Sequence, residues 1–490
     1  MATVRRSLAY SVADSYLSVV LQLAGTMGIA RLLTPAETGV FAVAAVFAAF
    51  ASTFRDFGVA EYLIQEKDLT ADKIRSALTA NIVVSWAMGS LLFVGAGSVG
   101  EFYRSGGIAE VMRVQAFNFF FIPFGAVTMA YFRRQMDFRP IFIAGLLANI
   151  TSFLVAIVCA WAGYGYMSLA WSSLAGTVVT VATSLLFRPA EFPRWPGIAE
   201  IGHVIRFGKH ASGIYLFGQA GKSAPEVIIG RALDMSSVAF FSRANGLIEL
   251  FHKTVLRAVL PVCLPYFAKS NREQGSLGTG YLRAIAFLTT IGWSFFAFLG
   301  IVAYGAIRLV YGTQWMASVP LAKILCVVAL IELIHILATE AIIATGRVDR
   351  SNLLQFMIQG SRVLGLLAVV PFGLAGGCWG LLIAAVVGAA AAQWMLGRTI
   401  GLRLADVVRA CAPSAMVAAV STLPVAVWAA WTGVAEDNFL YFLFGGGALT
   451  GVLWLIAVRN FVPALWSEIS AIIERITALP RRIRNADADR

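Results

Sequence analysis

The segment VAFFSRANGLIELFHKTVLRAVLPV, residues 238–262, is long and apolar enough to cross a membrane, yet it carries Arg243, Glu249, Lys253 and Arg257. An ionised side chain at mid-bilayer costs about 2.5–3.5 kcal/mol on insertion scales. Three cations in one span therefore call for a polar surrounding inside the membrane. With about 100° per residue and Arg243 as zero, Glu249 falls at about 240°, Lys253 at about 280° and Arg257 at about 320°. The four fit an arc of roughly 120°, so one helix face is charged while Val255, Leu256 and Val259 are free to meet lipid or protein. A basic stripe along a membrane-spanning helix points to an anionic cargo.

The rest of the chain has the same membrane character. Of 490 residues, 59% are hydrophobic and 13% charged, with a mean hydropathy of +0.78; soluble domains carry about 25% charge. Apolar runs of about 20 residues, enough to span the hydrocarbon core, recur from end to end. They predict an all-α polytopic membrane protein with about 14 transmembrane helices, the first near 9–30 and the last near 438–458. The polar–apolar alternation of a transmembrane barrel is absent. Arg5 and Arg6 precede the first run, which lacks a small-x-small cleavage site and so predicts an uncleaved anchor.

The net charge of +12 is not a nucleic-acid signature. With the N-terminus in the cytoplasm, 26 Lys and Arg fall at the cytoplasmic ends of the spans, 4 at the opposite ends and 8 inside spans. That bias is the positive-inside rule, and it predicts both termini in the cytoplasm. The five cysteines lie in or beside apolar runs with no CxxC pair, as packing residues do. No HExxH, GxSxG or Walker motif occurs, so neither a metal, a cofactor nor an enzyme is expected. A membrane glycosyltransferase or polymerase is the alternative of another class; it needs an acidic outer loop, and the fullest here is Glu436-Asp437.

Residues 29–41, IARLLTPAETGVF, and 229–241, IGRALDMSSVAFF, repeat at an offset of 200, with Ile, Arg, Leu and Phe recurring. Both join two spans, and six spans separate them. This predicts two parallel six-helix lobes, residues 1–200 and 201–400, followed by two extra spans in 401–460. Leu465, Trp466, Ile469, Ile472 and Ile473 then recur at helical spacing before Arg481, Arg482 and Arg484, predicting a cytoplasmic amphipathic helix and tail over 461–490.

Several loop sequences carry a resemblance. ARLLTPAETG (30–39), FRDFG (54–58) followed by LIQ (63–65), FRRQMDF (132–138), Tyr311-Gly312 with Trp315 and Pro320, and ATGRVD (344–349) resemble, in order and spacing, bacterial oligosaccharide flippases. These form the polysaccharide-export branch of the multidrug/oligosaccharidyl-lipid/polysaccharide exporter superfamily. The resemblance covers the whole chain. It implies two lobes around a central cavity lined by the first, second, seventh and eighth spans. It also implies alternating access at the bacterial inner membrane, moving an undecaprenyl-pyrophosphate-linked oligosaccharide between leaflets for exopolysaccharide, capsule or O-antigen assembly. A polysaccharide polymerase and export machinery are the implied partners besides membrane lipid. A drug antiporter or a peptidoglycan-precursor flippase of the same superfamily is the runner-up. Family members carry Asp or Asn shortly before Ile-Gly-Arg; this chain has Ala224-Pro225-Glu226.

A pyrophosphate crossing hydrocarbon needs cations and donors along its route. Lys222, Arg243, Lys253, Arg257, Arg55 and Arg362 are the substrate-binding candidates, and Asp14, Glu226, Glu249 and Glu332 the candidates for cation coupling. Intramembrane pairing competes with both roles: Lys222–Glu226 and Glu249–Lys253 have i,i+4 spacing, Glu332 and Arg362 both lie near mid-span, and Arg55 sits where it can snorkel. His335, one turn from Glu332, reads as a packed histidine.

Overall fold

The computed structural model describes residues 17–18, 20–55, 58–189, 192–193, 195–204, 213–273, 277–471 and 474. Helices in the first part are α1 (Val20–Leu32), α2 (Pro35–Arg55), α3 (Val59–Gln65), α4 (Ala71–Phe102), α5 (Gly106–Arg134), α6 (Arg139–Trp161) and α7 (Met167–Leu186). Next come α8 (Gly213–Ala232), α9 (Met235–Phe251), a π-helical turn (His252–Leu256), α10 (Arg257–Arg272), α11 (Leu277–Ile301) and α12 (Ala303–Val310). The last are α13 (Ser318–Leu333), α14 (Ala338–Ala344), α15 (Val348–Val369), α16 (Leu374–Ile400), α17 (Leu404–Thr432) and α18 (Gly446–Phe461).

Eleven helical segments among the described residues are long and apolar enough to cross a membrane. Helices also stand at the other three of the fourteen expected positions. These are α1, α8 and the run α9–π turn–α10. The three are the first, seventh and eighth positions; α1 is apolar and described continuously only from Val20, while charged residues lower the apolar character of α8 and a π turn interrupts the run from α9 to α10. Exposed Leu91, Val94, Trp161 and Trp431 illustrate the opposite case, large apolar side chains with no protein over them, as a surface bathed in lipid allows.

The chain divides into two compact units. One comprises Met1–Arg243, Leu309–Ala317 and Leu366–Gly377; the other comprises Ala244–Arg308, Ser318–Gly365 and Cys378–Arg490. A core of the first unit gathers Tyr62, Leu63, Ile74, Ala77, Val127 and Phe192. In the second, Val302, Val425 and Phe442 form one cluster, and Val417, Val458, Val462 and Leu465 another. Trp466 and Ile469 pack on the latter, and Glu468 pairs with Arg283 at 3.3 Å. The apolar face after α18 is thus partly covered by protein as far as it is described.

Within the first unit the repeat has a common local form. Leu33 N–H donates to Ile29 O at 3.0 Å and Leu233 N–H to Ile229 O at 2.8 Å; a helix then restarts at Pro35 and at Met235. The restarts are capped. Thr34 N–H donates to Glu37 Oε2 at 2.8 Å and Glu37 N–H to Thr34 Oγ1 at 3.3 Å, a reciprocal capping box with proline at the first helical position. In the second copy Ser237 N–H donates to Asp234 Oδ1 at 2.7 Å. A Cβ at Gly39 would collide with the Met235 carbonyl, so the two hairpin ends approach more closely than any other residue allows.

Candidate transport site

The repeat places Arg31 and Arg231 at the same end of the first unit. Arg31 donates to Met27 O and Leu309 O, each at 2.9 Å, and Arg231 lies over the Phe102 ring at 5.0 Å from its centroid. Tyr103 donates its hydroxyl to Val227 O at 3.1 Å. Segment 309–317 joins this end: Trp315 is fully buried, its Nε1 donates to Ala30 O at 2.8 Å, and Gln314 donates to Ala30 O and Leu33 O.

Arg243 enters that layer from α9. Its guanidinium lies 5.3 Å from the Tyr311 centroid and 4.9 Å from that of Trp315, while Phe240 meets Trp315 edge-on at 6.0 Å. The side chain occupies an aromatic slot, with a buried Nε that has no hydrogen-bond partner. The family-like Tyr311 and Trp315 are therefore the residues that hold Arg243.

The other candidates fall elsewhere. Lys222 is exposed on α8, one turn before half-buried Glu226, and no ion pair joins them. Lys253 lies exposed in the π-helical turn, and Arg257, also exposed, begins α10. Glu249 is half-buried and makes no ion pair with a described residue. A π turn is wider than an α turn, so the angular positions expected for Lys253 and Arg257 relative to Arg243 hold only up to Phe251. Arg55 lies over the Phe119 ring at 5.7 Å. Arg362 and Glu332 pair at 3.2 Å within the second unit, each side chain about one quarter exposed. Asp14 lies outside the described residues.

Two features were not anticipated from sequence. Arg134, within the FRRQMDF loop, donates to the carbonyls of Leu63, Ile64, Glu66 and Lys67, closing the C-terminal end of α3. Beside it Lys73 Nζ donates to Glu66 Oε1 at 2.8 Å, which holds the Glu66 carboxyl below the usual carboxylate range. The second feature is a break in the tenth span. Between α13 and α14 the backbone switches to tighter turns, with Ile334 N–H donating to Ile331 O, His335 N–H to Glu332 O, and Ala338 N–H to His335 O. A glycine or proline would have advertised it, but neither occurs at 334–337.

The chain's relatives agree in kind. The protein described as "Teichuronic acid biosynthesis protein TuaB" from Bacillus subtilis is 23% identical over 361 residues, 72% of this chain and 74% of that one. "Lipopolysaccharide biosynthesis protein WzxC" from Escherichia coli is 22% identical over 66% of each chain. "Succinoglycan biosynthesis transport protein ExoT" from Rhizobium meliloti is 23% identical over 66% of this chain and 65% of that one. Among solved structures, the lipid II flippase MurJ in its inward closed conformation shares the fold with a TM-score of 0.73 at 13% identity, over 94% of this chain and 99% of that one. An inward-facing multidrug resistance transporter of the MATE family, in the MOP superfamily, matches with a TM-score of 0.60 at 19% identity, over 78% of this chain and 94% of that one. Residues 29–320 match a polysaccharide biosynthesis protein family, and with that match spanning more than half its length, this multi-pass membrane protein belongs to the family.

Proposed function

We propose that the protein is a flippase that carries an anionic, undecaprenyl-pyrophosphate-linked oligosaccharide from the cytoplasmic to the opposite leaflet of a bacterial inner membrane by alternating access. The N- and C-termini face the cytoplasm, where 26 of the Lys and Arg side chains cluster at span ends. The product would serve an exopolysaccharide, capsule or O-antigen pathway, handed to a polysaccharide polymerase and export machinery. The protein has no catalytic role in this reading.

The observation that carries the reading is the state of the cations on the seventh and eighth spans. Lys222, Lys253 and Arg257 are exposed, and neither Lys222 nor Arg257 makes an ion pair with a described residue. Exposed charge on a membrane helix requires water or a counter-anion, and a pyrophosphate supplies the anion while guanidinium and ammonium groups supply its donors. Glu226, Glu249 and Glu332 serve as the cation-coupling carboxylates, together with Asp14.

The test is polymer export in cells carrying Lys253→Ala with Arg257→Ala. Export should fall at least about tenfold, equivalent to about 1.4 kcal/mol, while membrane accumulation of the protein is unchanged. Normal export in the double variant removes these side chains from the cargo route. Replacing Glu436 and Asp437 by Gln and Asn should leave export intact.

A further inference from the structure

The break between α13 and α14 is built, not frayed. Tighter turns at 331–338 leave carbonyls without their helical partners; two of them are those of Leu330 and Ile334. Each is met by a side-chain donor from α11: Trp293 Nε1 donates to Leu330 O at 2.8 Å, and the Tyr281 hydroxyl to Ile334 O at 3.3 Å. Hydrocarbon offers no donor to a freed carbonyl, so these two aromatic side chains satisfy backbone groups that the break would otherwise leave bare.

The break holds His335 beside an ion pair. The imidazole is buried, with 8% of the residue exposed, and its Nδ1 has no hydrogen-bond partner. Nε2 faces Gly388 on α16, where an added Cβ would lie 3.8 Å away. The charged groups within electrostatic reach are Glu332 on α13 and Arg362 on α15. Of the other packed elements, α11 presents the Tyr281 hydroxyl, α14 carries Glu340 five residues on, and α16 faces the ring with the non-ionisable Gly388, Ala389 and Gln393. A groove of about 420 Å³ runs from His335 past Gln393 and Trp394 to Leu404 at the start of α17, so the ring borders open space rather than being sealed in packed protein.

We propose that His335, Glu332 and Arg362 form a proton-binding site in which one carboxylate is exchanged between two cations. With the imidazole neutral, Glu332 pairs with Arg362, as in the structure. A proton taken from the groove onto the ring makes an imidazolium one turn from Glu332. The carboxylate then divides between the imidazolium and Arg362, and the guanidinium is loosened. Loss of the proton back to water restores the original pair. One proton enters and one leaves per exchange: an O–H bond of a hydronium ion breaks as the imidazole N–H bond forms, and the reverse step returns the proton to water. The proposal rests on the transport reading only for its purpose: a released Arg362 is a proton-controlled cation for an anionic cargo. The binding of the proton itself is independent of cargo.

The site is tested on the full chain in lipid nanodiscs, without cargo, by NMR of labelled histidine. The chain has four histidines, and the His335 signal is the one lost in His335→Gln. It should titrate reversibly within the pH range over which the protein stays folded. Glu332→Gln removes the anion that favours the imidazolium and should lower the midpoint by about one pH unit or more; Arg362→Gln removes the opposing cation and should raise it by a similar amount. Arg362→Lys retains the charge, serves if the glutamine variant does not fold, and should hold the midpoint near that of the parent. A His335 signal that does not titrate in this range, or a midpoint unmoved by Glu332→Gln, overturns the proposal. Normal titration of His335 with polymer export unchanged in Arg362→Gln would instead leave the proton site standing and count against its role in transport alone.

Discussion

The Trp315 ring is shared between two partners: its face carries the Arg243 guanidinium, 4.9 Å from the centroid, while its Nε1 edge donates to the Ala30 carbonyl at 2.8 Å. One side chain thereby links segment 309–317 to both α1 and α9, all within the first unit. Cation–π contacts contribute about 0.5–1 kcal/mol at exposed sites and about 2 when desolvated. Trp315→Leu removes the contact and the hydrogen bond together, and the melting temperature of the purified protein should fall by several degrees. Trp315→Phe retains a ring but loses the Ala30 bond, so its fall should be smaller, corresponding to about 0.5–1.5 kcal/mol.

Gly39 has no room for a side chain because the Met235 carbonyl occupies the position of its Cβ. Gly39→Ala should therefore reduce accumulation of folded protein in the membrane. Gly95, on α4, has nothing within 4 Å of its Cβ position, and Gly95→Ala should accumulate like the parent. Equal fluorescence-detected size-exclusion profiles for the two variants would show that the close approach is not required.

Glu66 is held in its ionised form by Lys73, so the sign of its pH dependence follows. A carboxyl whose folded value is lowered adds stability that is present above its unfolded value and is lost as pH falls through the folded one. Hydrogen-exchange protection of residues 62–67, corrected for intrinsic rate, should thus hold from neutral pH down to the ordinary carboxylate range, about pH 4.3, and drop as the pH is taken below it. Lys73→Met should show lower protection at neutral pH and little further loss on acidification.

Arg134 closes α3 through four carbonyls, so its removal affects more than one bond. Arg134→Ala should raise hydrogen exchange and protease cleavage in residues 63–70 at least about tenfold, since each charge-assisted bond contributes about 1.5–3 kcal/mol. Arg133→Ala, the neighbouring arginine with no such bonds among the described residues, is the comparison.

Glu332 and Arg362 are coupled at 3.2 Å. Removing one leaves the other's charge partly buried, whereas removing both leaves none. Arg362→Ala should therefore lower thermal stability more than the double variant Glu332→Gln with Arg362→Gln. Additive losses would mean that the pair contributes no interaction energy.

Fold class was legible in the chain because hydrocarbon imposes length and hydropathy on any helix that crosses it, and these are local properties. The offset-200 repeat was legible for a related reason: its turns are written in capping residues, Thr34-Pro35-Ala36-Glu37 and Asp234, which act on their own backbone. The basic stripe of 238–262 was legible as composition, but its geometry was not. A π turn at His252–Leu256 changes the angular register between Arg243 and Arg257, and nothing in residue identity announces it. Whether a charged residue meets an aromatic slot, an acidic partner or open surface depends on side chains distant in sequence. Tyr311 and Trp315 decide it for Arg243, Glu332 decides it for Arg362, and Lys222 and Arg257 are left exposed. The break at His335 was hidden for the same reason: the donors that satisfy it, Trp293 and Tyr281, belong to another helix. Sequence determined which segments enter the membrane and which charges they carry into it; tertiary structure decided the partner of each charge, because pairing depends on distances that only the packed helices set.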